Sequence, residues 1–250
     1  MLNEKMMELG KKSSVIREIF EYAKKRKAEI GDDKVFDFSI GNPSIPAPAQ
    51  INETVRQLLS QQDTLEIHSY TSAVGAYATR KAIADDLNRR YGTAITPDEL
   101  FLGGGASSEL AAVFRALALP GGEIVTIAPY FPEYRPFVEG TGMTLKVVPA
   151  DIPGFQIKMD ALEAALTPDT QAVIINSPNN PAGTVYTEDT LQQLARLLTE
   201  KSAQYGHPIY IVSDDPYREL TYDGVIAPFV PTIYPNTIVC YSYSKSLSLP

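Results

Sequence analysis

The sequence holds a single cysteine, Cys240. That excludes an internal disulfide and suits a reducing compartment, so a cytoplasmic location is expected. Cys240 lies in the apolar run Thr237-Ile238-Val239-Cys240-Tyr241, which predicts a buried, inert thiol and not a nucleophile. Histidine is almost as scarce. His68 and His207 have no acid or metal-ligand company, so both are expected to be structural or exposed, and no metal site is expected. Basic residues are outnumbered, 22 against 30 acidic, for a net charge of −8. That argues against nucleic acid as the main partner, because binding it needs a concentrated basic surface. The run Lys24-Lys25-Arg26-Lys27 is short, lies between Glu21 and Glu29, and reads as a solvated helix face. No apolar run approaches the roughly 20 residues that span a bilayer, and no apolar core of signal-peptide length follows Met1. Internal repeats and low-complexity segments are also missing.

What is present is enough apolar residue, 44%, to bury a sizeable core. Val15, Ile16, Ile19, Phe20 and Ala23 recur at helical spacing, and Gly31 closes that helix. Val35, Phe36, Phe38 and Ile40 suggest a short strand, and Gly41–Ala49, with three prolines, is a candidate boundary. Helical patterns follow at about 50–60 and 75–91, then a strand at Leu100-Phe101-Leu102. Beyond it strands and helices alternate. Helices are expected at about 106–118, 130–139, 160–166 and 188–204, and strands at 123–128, 144–148, 172–175, 209–212 and 237–241. Strands apolar throughout, separated by helices, predict a three-layer α/β fold, its sheet mostly parallel and covered on both faces.

Four polar loops fall just after strands, on the carboxyl edge where such sheets bind ligands. They are Gly103-Gly104-Gly105-Ala106-Ser107-Ser108, Asn176-Ser177-Pro178-Asn179-Asn180-Pro181-Ala182-Gly183, Ser213-Asp214-Asp215-Pro216-Tyr217 and Ser242-Tyr243-Ser244-Lys245. Each alone is an ordinary turn. In this order and spacing, from about residue 35 to the last, they resemble the pyridoxal-phosphate (PLP) site of the fold-type I, class I/II aminotransferases. Ser177 and Ala182 depart from the family's usual form of the second loop, while its Asn-Pro core is intact.

The resemblance implies a role for each residue, and the chemistry gives the reason. PLP needs an amine for its Schiff base, an anion at its pyridine nitrogen, donors to its phenolic oxygen and a phosphate cradle. Lys245 matches the amine. Placed between small hydroxyl residues after a buried strand, it is expected to be partly desolvated and so a better nucleophile, although most lysines are simply on the surface. Asp214 matches the carboxylate that keeps the pyridine nitrogen protonated. Asp215 competes for this role, and the three-residue step to Tyr217 favours Asp214. Asn180 and Tyr217 match the partners of the phenolic oxygen. Gly105, Ala106 and Ser107, opening a helix, match the phosphate cradle. Ser242 matches a further phosphate hydroxyl, with Ser244 a possible addition. Phe131, in preference to Tyr130, matches the aromatic that stacks on the pyridine ring.

Tyr70, in Ser69-Tyr70-Thr71-Ser72, matches a tyrosine that reaches the phosphate in the neighbouring subunit, which implies a homodimer with shared sites. Gly41, in Ile40-Gly41-Asn42-Pro43, matches a substrate-contacting loop that needs close backbone approach. Residues 1–48 are then expected to contribute to the small domain and 49–250 to form the PLP-binding large domain. The family's arginines for the cofactor phosphate and the substrate carboxylate lie beyond the position of Pro250, so the sequence is expected to be a fragment lacking the C-terminal small domain, the alternative being a truncated, inactive product. The implied activity is amino transfer between an α-amino acid and a 2-oxo acid. A carbon–sulfur β-lyase or a cyclopropane-forming synthase shares these cofactor residues, and fold does not separate them. A non-catalytic regulatory module on the same fold is a remote alternative, for which residues 1–34 are too short to supply a DNA-binding domain.

Overall fold

The computed structural model describes residues 4–11, 15–41 and 45–250. Residues up to 46 form one compact unit and residues 47–249 another. In the first, α1 (Glu4–Lys11) and α2 (Val15–Ile30) are followed by a 3-10 turn, Asp32–Lys34. Gly31, at φ 101°, donates its N–H back to Lys27 at 2.9 Å and stops α2. Lys24, Lys25 and Arg26 are exposed, as a solvated face requires.

The strand expected at 35–40 does not form. Phe36 and Phe38 are 81% and 92% exposed, and no other strand pairs with them among the described residues. A short alternating run becomes a strand only where a neighbouring strand accepts its backbone bonds.

The second unit opens with α3 (Ala49–Gln61), α4 (Thr64–Ile67) and α5 (Tyr77–Tyr91). Leu100–Leu102 is not a strand either. The Leu102 N–H donates to the Val74 carbonyl at 3.1 Å, so this segment bonds to a turn and not to a ladder. Next come α6 (Ala106–Ala116), β1 (Glu123–Ala128), α7 (Tyr134–Glu139), β2 (Thr144–Asp151), β3 (Gln156–Ile157), α8 (Met159–Ala165), β4 (Thr170–Asn176), α9 (Glu188–Tyr205), β5 (Tyr210–Asp214), β6 (Thr237–Cys240) and α10 (Tyr243–Ser246).

The sheet order is β3-β2-β1-β4-β5-β6, parallel except for the antiparallel β2–β3 pair, which the sequence reading missed. Strand alternation sorts the core onto two faces. Val125, Ile127, Val173, Ile175 and Ile211 pack with Leu162 of α8 and Leu191, Leu194 and Leu198 of α9. Ile124, Leu145, Ala172, Ile174, Val212 and Cys240 pack with Leu110 and Phe114 of α6 and Tyr134 and Val138 of α7. This is the expected three-layer arrangement. α9 illustrates why these helices form. The Thr187 side chain caps it by accepting from the Thr190 N–H at 3.1 Å, Gly206 ends it in the left-handed region, and its buried leucines recur at helical spacing.

Chain order reverses between β1 and β4: the connection after β1 runs to one side of the sheet, while β4, β5 and β6 run to the other. That switch point, at the carboxyl ends, is where an open parallel sheet leaves a crevice.

Leu194 is fully buried between α9 and the sheet. Leu194→Ala is expected to cost about 2–5 kcal/mol through lost burial and an unfilled cavity. Urea unfolding should show a lower midpoint with an unchanged slope.

Candidate active site

Register places the site. Asn176 of β4 lies opposite Asp214 of β5, and Asp214 lies opposite Cys240 of β6, so three strands end together. The Asn176 side chain ties two of the loops there: its Nδ2 donates to the Asp214 carbonyl at 2.7 Å, and its Oδ1 accepts from the Asn180 N–H at 2.7 Å. Asn180 is thereby held beside Tyr217, donating from Nδ2 to the phenol oxygen at 3.1 Å. Burial pushes the Tyr217 hydroxyl upward, against the Asn180 hydrogen bond, and the Asp214 charge adds to the rise. Tyr217 therefore keeps its proton and can donate it.

Asp214 and Asp215 are both buried, but they face opposite sides of the strand end. Asp214 Oδ2 accepts a 2.5 Å hydrogen bond from the Tyr134 hydroxyl, and Tyr134 is itself only 1% exposed. Asp214 Oδ1 has no protein partner among the described residues. Burial pushes the Asp214 carboxyl up to about 7; the Tyr134 hydrogen bond opposes that rise and the Asp215 charge adds to it. A cation opposite Oδ1 would restore the charged form. Asp215 is committed elsewhere: its Oδ2 accepts from Arg218 Nε at 3.1 Å and from an Arg218 terminal nitrogen at 2.7 Å, and its Oδ1 accepts from the Ser213 hydroxyl at 2.7 Å.

Phe131 follows β1 and meets the Tyr134 ring edge-on, centroids 5.7 Å apart. Tyr130 is engaged by Arg135, which donates to its hydroxyl at 3.2 Å. Gly105 precedes α6 at φ 105°, and an added Cβ there would meet nothing within 4 Å, so backbone conformation and not crowding requires glycine. The N–H groups of Ala106 and Ser107 open the helix, where intrahelical acceptors do not exist. Because α6 leads through residues 117–122 into the start of β1, its N-terminus points to the carboxyl edge of the sheet.

Ser242 caps the short α10: its Oγ accepts from the Ser244 N–H at 3.0 Å and donates to Ser244 Oγ at 2.6 Å. The Ser244 hydroxyl proton is left to serve another acceptor. Lys245 is half-buried in the same turn. Cys240 is buried, and burial pushes its thiol up to about 12 with the Asp214, Glu109 and Asp215 charges adding to the effect, so it is inert.

Tyr70 is fully exposed and touches none of these groups. Gly41 belongs to the other compact unit, an added Cβ there would meet nothing within 4 Å, and its neighbours Asn42 and Pro43 lie outside the described residues. His68 is exposed, and the His207 ring sits between the carbonyls of Pro168 and Pro208 at 2.8 and 3.1 Å. No metal-holding group of His, Cys, Asp and Glu occurs among the described residues, and none of their helices is long and apolar enough to cross a membrane.

The sequence reading missed Asn176, Tyr134 and Arg218 as participants. Asn176 lay inside a singled-out loop, and its place as last residue of a buried strand was a usable signal. A tyrosine and an arginine in short polar stretches carried none.

Residues 33–250 match the family described as aminotransferase class I and II. The chain belongs to that family. It is 34% identical over 74% of its length to the aspartate/prephenate aminotransferase of Thermus thermophilus, covering 46% of that protein. It is likewise 34% identical to the aspartate aminotransferase of Thermotoga maritima, over 83% of this chain and 53% of that one. Among solved structures, an amino transferase from Eubacterium rectale superposes with a TM-score of 0.96 at 53% identity, covering all of this chain and 63% of that one. The chain thus spans about half the length of the curated relatives it matches. PLP is the family's cofactor, and the residue types at these strand ends fit it: an amine, a carboxylate oxygen without a protein partner among the described residues, an aromatic ring, a phenol–amide pair and the N–H groups of a helix N-terminus.

Asp214 also makes stability depend on pH in the cofactor-free protein. An unfolded aspartate loses its proton near pH 4, whereas the folded one keeps it to about 7. Between those values the folded state binds the extra proton, so stability falls as pH rises and levels off above 7. Asp214→Asn removes that slope. Urea unfolding at pH 4.5 and 7.5 should show the parent losing on the order of a few kcal/mol relative to the variant; parallel profiles would contradict the burial argument.

Proposed function

We propose that the protein is a PLP-dependent aminotransferase that moves an amino group between an α-amino acid and a 2-oxo acid, with Lys245 carrying the cofactor. The observation that carries this reading is the pair of buried aspartates, one closed by Arg218 and the other open at Oδ1. A carboxylate oxygen without a protein partner among the described residues, at the carboxyl end of β5, suits a protonated ring nitrogen, and Asp215 is not available for that role. When bound, PLP supplies an electron-accepting ring that takes up the charge left as substrate Cα loses its proton. Asp214 keeps the ring nitrogen protonated, and Tyr134 keeps Asp214 aimed. Tyr217 and Asn180 donate to the phenolic oxygen. Phe131 provides the ring face. The Gly105–Ser107 amides, with Ser242 and Ser244, hold the phosphate. Lys245 would hold the cofactor through its amine, and that amine, when free, would take the proton from substrate Cα.

We assign residues 49–250 to the cofactor-binding domain and 1–48, with Gly41 toward the substrate, to a segment of the small domain. The assembly we propose is a cytoplasmic homodimer in which Tyr70 serves the neighbouring subunit's phosphate. Full exposure of Tyr70 supports a role outside its own chain, and the aspartate and prephenate substrates of its relatives support small amino and oxo acids as substrates.

Lys245→Ala is expected to abolish turnover and the borohydride-reducible adduct. Peptide mapping of reduced protein checks the position, and label on another lysine would refute it. Asp214→Asn should keep cofactor and lose most α-proton exchange. Asp215→Asn acts differently: it strands Arg218 in the interior at a cost of about 3–5 kcal/mol, while the folded fraction still exchanges the α-proton.

Mixing Lys245→Ala with Tyr70→Phe subunits should produce hybrid dimers with one undamaged site each, so activity recovers on mixing. Tyr70→Phe alone should weaken cofactor retention about tenfold or more, the loss of one hydrogen bond to a charged group. A monomer by light scattering, or no recovery on mixing, would refute the shared site.

A further inference from the structure

Arg218 and Tyr241 take no part in the steps above, yet both are built into the strand ends. Arg218 is 7% exposed and doubly hydrogen-bonded to Asp215. Its guanidinium carbon lies 5.0 Å from the Tyr241 ring centroid and 4.8 Å from that of Phe229. The next residue, Glu219, accepts from the Tyr241 hydroxyl at 3.0 Å and is anchored in turn by Arg90 at 3.3 Å. The same Tyr241 hydroxyl lies 3.0 Å from Ser246 Oγ. The Asp215 N–H donates to the Cys240 carbonyl at 2.8 Å.

The loop carrying Tyr217 and the loop carrying Lys245 are therefore joined three times: through backbone at Asp215, through the Arg218–Tyr241 face, and through the Glu219–Tyr241–Ser246 chain. Tyr241 and Ser246 bracket the lysine turn on both sides. We propose that Tyr241, gripped by Arg218 and Glu219, is a positioning device that fixes the Lys245 amine relative to Tyr217 and Asp214. The inference rests on the reading of Lys245 as the cofactor-bearing residue. Its physical basis is that a lysine side chain has four rotatable bonds, so its reach is defined only if the backbone it hangs from is fixed. A displacement of about 1 Å at a reacting group can cost on the order of a hundredfold in rate. The grip is durable because charge-assisted hydrogen bonds and a desolvated cation over a ring are the stronger members of their classes. Burial, first, and the Glu219 charge push the Tyr241 hydroxyl up to about 12 despite the Ser246 contact, so it remains a donor.

The test uses cofactor-stripped protein. On adding PLP, the rate of bond formation to lysine is followed by stopped-flow absorbance, and the pH at which the bound cofactor's visible absorbance changes is titrated. Pyridoxamine phosphate, which has no aldehyde, reports cofactor binding without the lysine. Tyr241→Phe keeps the ring under Arg218 and deletes only the hydroxyl chain. It should slow bond formation about tenfold or more and shift the absorbance titration, with pyridoxamine phosphate affinity and melting temperature close to the parent. Glu219→Gln retains an acceptor for the hydroxyl and should keep most of the parent's rate. Arg218→Lys keeps the charge but not the planar fork, and should slow the reaction like Tyr241→Phe. Unchanged rate and titration in Tyr241→Phe would overturn the proposal. So would a slowing matched by equal loss of pyridoxamine phosphate affinity, because that is a general defect of the site. A reducible adduct persisting in Lys245→Ala would instead overturn the assignment of the lysine itself.

Discussion

Parallel register across β4, β5 and β6 is the constraint on which the site depends. Asn176, Asp214 and Cys240 end their strands side by side because the three ladders are in step. Strand alternation then decides which acid faces which layer. Val212 and Asp214 share the face of α6 and α7, where Tyr134 waits, while Ile211 and Ser213 turn to the opposite face. A slip of one residue in β5 would present Ser213 or Asp215 to Tyr134 and reverse the chemistry of the strand end.

Two adjacent acids thus illustrate opposite solutions to burying a carboxylate. Asp215 has a guanidinium and a serine hydroxyl and carries its charge in the interior. Asp214 has one neutral donor and is pushed up to about 7. Burying a half-satisfied acid costs folding free energy. A cation placed at its open oxygen would offset that cost by favouring the charged form.

Much of this was legible in the sequence. The five parallel strands are legible because each is a short, mainly apolar run, although Lys146 interrupts β2, and the polar loops are legible because they follow those runs. The segments at 35–40 and 100–102 carried the same local signal and formed no strand, since pairing is decided by neighbours and not by the segment itself. β3 was invisible at two residues long. The preference for Asp214 over Asp215 came from spacing to Tyr217, but a stronger reason was available in strand parity: two steps back from Asp214 is Val212, a core residue. Tyr134 and Arg218 were out of reach because partners 80 residues away, or a box of three rings, leave no pattern in local sequence.

Cys240 has a use that its inertness creates. It is the one thiol in the sequence, 2% exposed, and it closes β6 immediately before the turn that carries Lys245. A thiol reagent can reach it only when that strand end detaches from β5 and α6. Its labelling rate is therefore a clock for the opening of the sheet edge next to the Lys245 turn, readable without any introduced probe.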